Sequence, residues 1–135
     1  MERGELDAEA VARVAEFRAA LRQFLRKSER VARASGLTPQ RYLLLLMIKG
    51  APDRSEQSTV TELADRLQLA QSSVTELVRR AEEVGLVQRE ASSADGRVAH
   101  LRLTAEGERR LARSFVSLAA EREQLRQAFL HLDEG

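Results

Sequence analysis

Three residues, Gln68-Leu69-Ala70, separate two stretches of helical periodicity in this chain, and that short tether constrains the fold more than any other feature. The first stretch opens on Thr59-Val60-Thr61-Glu62. This is the T-x-x-E form of a capping box, in which the hydroxyl and the carboxylate each take a backbone N–H at the helix start. Leu63, Ala64 and Leu67 give that helix its buried side. The second stretch repeats apolar residues at Val74, Leu77, Val78, Ala81 and Val84 until Gly85 closes it. Two helices joined by about three residues read as a helix-turn-helix. Directly behind them, Leu86 to Glu90 is extended, Ala91 to Gly96 is small and polar, and Val98 to Leu103 alternates roughly. Strand, turn and strand make a hairpin.

The flanks are helical. Val11, Val14, Phe17, Leu21, Phe24 and Leu25 are spaced by three and four, which predicts a helix from about Asp7 to Ala34. Gly36 stops it, and Thr38-Pro39 opens the next helix with a hydroxyl at the cap and proline in the first helical position. Leu43, Leu44, Leu45, Leu46, Met47 and Ile48 make that second helix apolar almost all round, so it belongs in a core. Gly50 ends it, and Ala51 to Ser58 reads as a polar loop without periodicity. After Thr104, a further cap, Leu111, Phe115, Leu118, Leu125, Phe129 and Leu132 recur along a seam that Arg122 interrupts; the pattern fits one long helix or two, with Ser117 to Ala120 as the place for a break. The expected fold is therefore mainly α with a small β-hairpin wing: a winged helix-turn-helix on a helical stem. Its parts are residues 1–37 as the first stem helix, 38–104 as the winged lobe and 105–135 as the last stem helices.

Composition narrows the function by exclusion. A chain of 135 residues has the size of one domain. Without cysteine it has no disulfide, thiolate metal site or thiol switch, and His100 and His131 alone make a histidine zinc site improbable. G-x-S-x-G, a phosphate-binding glycine loop and H-E-x-x-H are all missing, so neither an enzyme nor a cofactor is expected. The longest apolar stretch, Tyr42 to Ile48, fits a buried helix rather than a membrane span, and no leader is read, so the expectation is a soluble cytoplasmic protein. Net charge is +1, from 22 basic and 21 acidic side chains. A nucleic-acid binder of this composition works through a few placed arginines rather than a bulk positive field.

The segments Thr59-Val60-Thr61-Glu62-Leu63-Ala64, Ser72-Ser73-Val74-Thr75-Glu76-Leu77-Val78-Arg79-Arg80, Gly85-Leu86-Val87, Asp95-Gly96-Arg97 and Leu103-Thr104-Ala105-Glu106-Gly107 follow one another in a specific order and spacing. In this the chain resembles the MarR family of winged helix-turn-helix transcriptional regulators, over roughly Val14 to Leu132. The resemblance implies a homodimeric regulator, most often a repressor, whose first and last helices interleave between two subunits above two winged lobes. It also implies a small aromatic or anionic effector bound between stem and lobe, for which Phe17, Tyr42, Arg18 and Arg22 are candidates. The chain departs from the family's pattern at Gln68, where glycine is usual, and at Ala70, where a capping serine is usual. Glu76 and Arg79 occupy positions often basic and acidic in relatives.

Burying Val74, Leu77, Val78 and Ala81 leaves Gln71, Ser72, Ser73, Thr75, Glu76 and Arg79 facing outward, toward a major groove in the expected arrangement. Gln71 suits adenine, Arg79 guanine or phosphate, Glu76 the cytosine amino group, and the hydroxyls either base edges or phosphates. Arg97 at the hairpin tip is expected in the minor groove, with Asp95 shaping the turn. Arg89 and Ser92, with Thr59 and Arg80, are expected phosphate contacts. Phe17, Leu21, Phe24, Phe115, Leu118, Leu125 and Phe129 carry more apolar surface than a small winged lobe can cover, which predicts a second subunit. Twofold symmetry then predicts a pseudo-palindromic duplex operator with half-sites about 10 base pairs apart. A winged helix that binds another protein instead of DNA is the competing expectation, left open by Glu76 and the near-neutral wing region.

Overall fold

A computed structural model describes residues 5–91 and 98–134. In chain order these form α1 (Ala8–Ala34), α2 (Pro39–Lys49), β1 (Gln57–Ser58), α3 (Val60–Leu67), α4 (Gln71–Glu83), β2 (Val87–Ala91), β3 (Ala99–Leu103), α5 (Ala105–Ser117) and α6 (Ala119–His131). The helices begin where capping chemistry places them. Asp7 accepts the Glu9 N–H at 3.0 Å, Thr38 that of Arg41 at 3.1 Å and Thr104 that of Gly107 at 3.1 Å. The capping box closes in both directions: the Thr59 N–H donates to Glu62 at 2.8 Å and the Glu62 N–H to the Thr59 hydroxyl at 3.2 Å.

The segment before Thr59 is not wholly irregular, contrary to the sequence expectation. Gln57 and Ser58 form β1, which pairs antiparallel with β3 through Gln57↔Arg102 and Ser58↔Leu101, giving a three-stranded sheet in the order β1-β3-β2. A two-residue strand is too short for alternation to show. The chain reaches it through a tight reversal in which Arg54 and Glu56 take positive φ values of 65° and 61°, while Asp53 accepts the N–H and hydroxyl of Ser55. The hairpin itself runs in unbroken register from Val87↔Leu103 to Ala91↔Ala99. Val98 lies outside the strand and is exposed.

The core sits where α2, α3, α4 and the sheet meet, with Leu44, Leu45, Ile48, Leu63, Val74, Val78, Leu86 and Leu101 fully buried. Leu43 is the departure from the all-round apolar reading of α2, since its side faces solvent. The C-terminal region is two helices. Arg122, an interruption in the sequence, braces the break: its Nη1 donates to the Phe115 carbonyl at 2.7 Å while the guanidinium lies 3.8 Å from the Phe115 ring centroid. A cation thereby adds a charged donor to a carbonyl in the last turn of α5 that also takes the Leu118 N–H at 3.3 Å. Leu118, between the two helices, is fully buried. The α6 helix folds back along α1, where Phe17 and Phe129 meet edge to face at 6.0 Å and Lys27 pairs with Glu121 at 2.6 Å. Deeper in, the Ser114 hydroxyl donates to that of Ser35 at 2.8 Å and joins α5 to the end of α1.

The start of α5 meets the lobe with no spare volume. A Cβ on Gly107 would lie 2.2 Å from the Leu86 carbonyl oxygen. That oxygen already accepts the Thr104 N–H at 3.0 Å, and the Thr104 hydroxyl donates to the Gly85 carbonyl at 2.6 Å. Gly107→Ala is therefore expected to force α5 off the lobe and destabilise the fold by about 1–3 kcal/mol, the usual cost of overpacking. A thermal melt checks this; an unchanged midpoint would show that the contact yields freely.

Candidate nucleic-acid interface

The outward face of α4 is built by the burial of Val74, Val78 and Ala81 on its other side. Gln71, Ser72, Ser73, Thr75, Arg79 and Arg80 are exposed, and Glu76 is partly so. Leu77, read from the sequence as inward, is half-buried at the margin of the core. The turn before α4 holds Gln68 at φ 57°, ψ 47°, a left-handed conformation that glycine adopts most freely. A side-chain hydrogen bond offsets part of the strain, because Gln68 Nε2 donates to the Asp65 carbonyl at 2.6 Å. Ala70 then enters α4 without a side-chain cap. Gln71 Nε2 lies 3.4 Å from the Thr61 hydroxyl, a long contact linking α4 to α3. The Thr59 hydroxyl serves the capping box at the start of α3.

The charged residues of this face are paired with one another. Glu76 takes Arg79 in a two-point contact, with Oε2 accepting from Nε at 2.9 Å and Oε1 from Nη2 at 2.5 Å. The same Oε1 accepts from Arg80 Nε at 3.0 Å. Glu83 takes the remaining edge of Arg79, and Glu82 accepts from Arg89 Nε at 3.0 and 3.1 Å, tying β2 to α4. Glu83 and Arg79, four residues apart on one helix, carry a pairing signal readable from sequence, whereas Glu82 and Arg89 are brought together only by the fold. The two guanidinium groups hold the Glu76 carboxyl at about 2, well below the ordinary carboxylate range. A carboxylate with a depressed folded value contributes fully above its unfolded value, so this network weakens only as pH falls toward 2.

The residues expected at the wing tip, Ser92, Asp95 and Arg97, lie outside the described residues. On the stem, Phe17, Leu21 and Leu125 are half-buried, Phe129 is 56% exposed, and Leu118 is enclosed by the chain's own core. Val11, Val14, Phe115, Val116 and Leu130 add exposed apolar surface there. Of the residues considered for an effector, Tyr42 is buried, and burial pushes its phenol up. Arg18 and Arg22 instead line an open groove of about 640 Å³ along α1, together with Arg26 and Arg30. Among the described residues no group of three or more His, Asp or Glu could hold a metal ion, and no helix is long and apolar enough to cross a membrane.

The uncapped entry to α4 yields a direct prediction. Ala70→Ser supplies an acceptor for the free N–H groups at that end and is expected to stabilise the protein by about 0.5–2 kcal/mol. A shift of the urea midpoint with unchanged slope would register it. No shift would mean that those N–H groups are already satisfied by water.

Residues 35–98 match the model of the MarR family. The fold is similar to that of a transcriptional regulator from Thermotoga maritima, with TM-score 0.63 and 25% identity over 84% of each chain. It is also similar to a MepR mutant from S. aureus solved with an oligodeoxyribonucleotide, with TM-score 0.66 and 23% identity over 80% of this chain and 76% of that one. A MarR mutant from E. coli, solved with operator DNA, superposes with TM-score 0.65 at 18% identity over 90% of this chain and 85% of that one. No curated protein matches the chain by sequence. The solved neighbours of this family are transcription regulators rather than enzymes. Over residues 35–98, just under half of its length, the chain is matched by the model of the MarR family, and its fold is similar to that of solved MarR-family regulators.

Proposed function

We propose that this protein is a cytoplasmic, homodimeric transcription regulator that binds a pseudo-palindromic duplex operator and acts as a repressor. The observation that carries the reading is the outward face of α4: an amide, four hydroxyl or guanidinium neighbours and a carboxylate stand on one rigid helix, backed by a fully buried core and flanked by the two-stranded wing. Those side chains are the ones that address base edges and phosphates. Two structural neighbours of the same fold were solved on DNA, which supports the same role for this lobe. In this reading Gln71, Ser72, Ser73, Thr75, Glu76 and Arg79 enter the major groove, Arg97 the minor groove with Asp95 behind it, and Thr59, Arg80 and Arg89 meet phosphates.

Dimerisation is supported by the apolar side chains that α1, α5 and α6 leave in water, Val116 at 73% and Val14 at 53% exposure among them. Phe17, Leu21, Leu125 and Phe129 lie on the same stem, and a second copy covers them. Release by a small anionic or aromatic effector is supported by the groove along α1, where Arg18 and Arg22 stand beside Leu21 and Leu25. An effector acts there by binding one spacing of the two lobes better than another.

Selection of bound sequences from random duplex DNA tests the reading. The expected product is an imperfect palindrome with half-sites about 10 base pairs apart. Affinity for it falls steeply with salt, as counterion release requires. Arg97→Ala is expected to weaken binding about tenfold or more without altering the circular dichroism spectrum. Sedimentation should give a dimer, and Phe129→Asp should shift it toward monomer. A wild-type chain that is monomeric, or that retains no duplex at low ionic strength, overturns the proposal. The second outcome favours a protein-binding module.

A further inference from the structure

A helix that reads DNA usually offers unpaired cations, but α4 does not. It carries Glu76, Glu82 and Glu83 against Arg79 and Arg80, and both arginines are engaged by glutamates of the same helix. Glu76 is the centre of the arrangement, because its two oxygens hold Arg79 at two points and Arg80 at a third. The contrast with the rest of the chain is informative. Arg18, Arg22, Arg26 and Arg30 stand at four-residue intervals on α1 with no acidic partner within 4.0 Å among the described residues. Among the described residues these four cations of α1 are left without a carboxylate, whereas both arginines of α4 are held by one.

Resting on the reading of α4 as the DNA-facing helix, we infer that Glu76 is a specificity-determining gate, which keeps Arg79 and Arg80 neutralised until a duplex offers its carboxylate a base amino group. On arbitrary DNA, an arginine that turns to a phosphate must leave Glu76, and the abandoned carboxylate then faces a polyanion. That exchange gains little, since an exposed ion pair is merely traded for another and a like-charge approach is added. At a site with cytosine opposite the carboxylate, N4–H donates to Glu76 and replaces what the arginines gave. Arg79 and Arg80 are then released to a neighbouring guanine or phosphate. The same two arginines contribute to specific complexes and are withheld from the others. Discrimination comes from a penalty against wrong sites as much as from attraction to the right one.

Glu76→Gln tests this in the full-length protein, with fluorescence anisotropy on two probes: a random-sequence duplex and the duplex recovered by selection. The variant is expected to bind the random duplex about tenfold more tightly. Its slope of log affinity against log salt should steepen by about one to two, the counterions displaced by one or two newly available arginines. The gap between the two probes should narrow by a similar factor. Adding Arg79→Gln to the variant should return random-duplex affinity toward wild type. Glu123→Gln makes the same change in net charge on α6, where Glu123 pairs with Arg126, and should leave random-duplex affinity within about twofold, since a remote exposed charge is largely screened. Equal effects of the Glu76 and Glu123 substitutions, or no change in affinity and salt slope for Glu76→Gln, overturn the gate while leaving the DNA-binding reading intact. A wild-type chain that binds neither probe overturns both.

Discussion

The joint between lobe and stem has no room for a side chain, and much of the architecture depends on it. Leu86 leaves α4 through the turn at Gly85 and enters the sheet, and its carbonyl is where the returning chain is caught by the Thr104 N–H. Thr104 then does three things at once: it ends β3, caps α5 and donates to the Gly85 carbonyl. Gly107 lets α5 lie directly on that backbone. Backbone polar groups that such a crossing buries, the Leu86 carbonyl among them, must be satisfied internally. The stem therefore leaves the lobe in a direction set by backbone rather than by long, adjustable side chains.

Around this joint, charge is distributed in two different ways. Near the lobe, basic groups are tied down: Lys49 to Glu56 and Glu108, Arg66 to the Met47 and Gly50 carbonyls at the end of α2, Arg110 to Glu106 and the Gly36 carbonyl. Exposed pairs of this kind add little stability singly. Those to backbone carbonyls do more for geometry, since they satisfy helix ends that would otherwise need solvent. Along α1 the arginines that line the open groove have no such assignment.

What was legible in the sequence was local. Caps at Thr38, Thr59 and Thr104 act within three residues, so their spacing alone located three helix starts, while the cap at Asp7 stands where the apolar period begins. The short turn at Gln68 announced the helix pair, and Gln68 takes the left-handed geometry that its position as a glycine substitute required. What escaped depended on distance. The pairing of β1 with β3 joins residues more than forty positions apart and spans two residues, leaving no periodic trace. Arg122 looked like a fault in a seam because its partner is a backbone carbonyl, which sequence does not display. On α4 the outward residues were legible from the helical period, whereas their mutual neutralisation needed side-chain positions.

The sheet has a mechanical consequence. At Leu101 and Arg102 the central strand is held on both sides, by β1 and by β2, whereas from His100 outward only β2 remains beside it. A ribbon of two strands is far weaker in bending than a sheet of three. The wing is thus a cantilever clamped at its root, and the Arg89–Glu82 contact sits just at the edge of the clamp. Load applied near the outer end flexes the ribbon before it disturbs the core, so the arm conforms to what it meets while the helix beside it keeps its place.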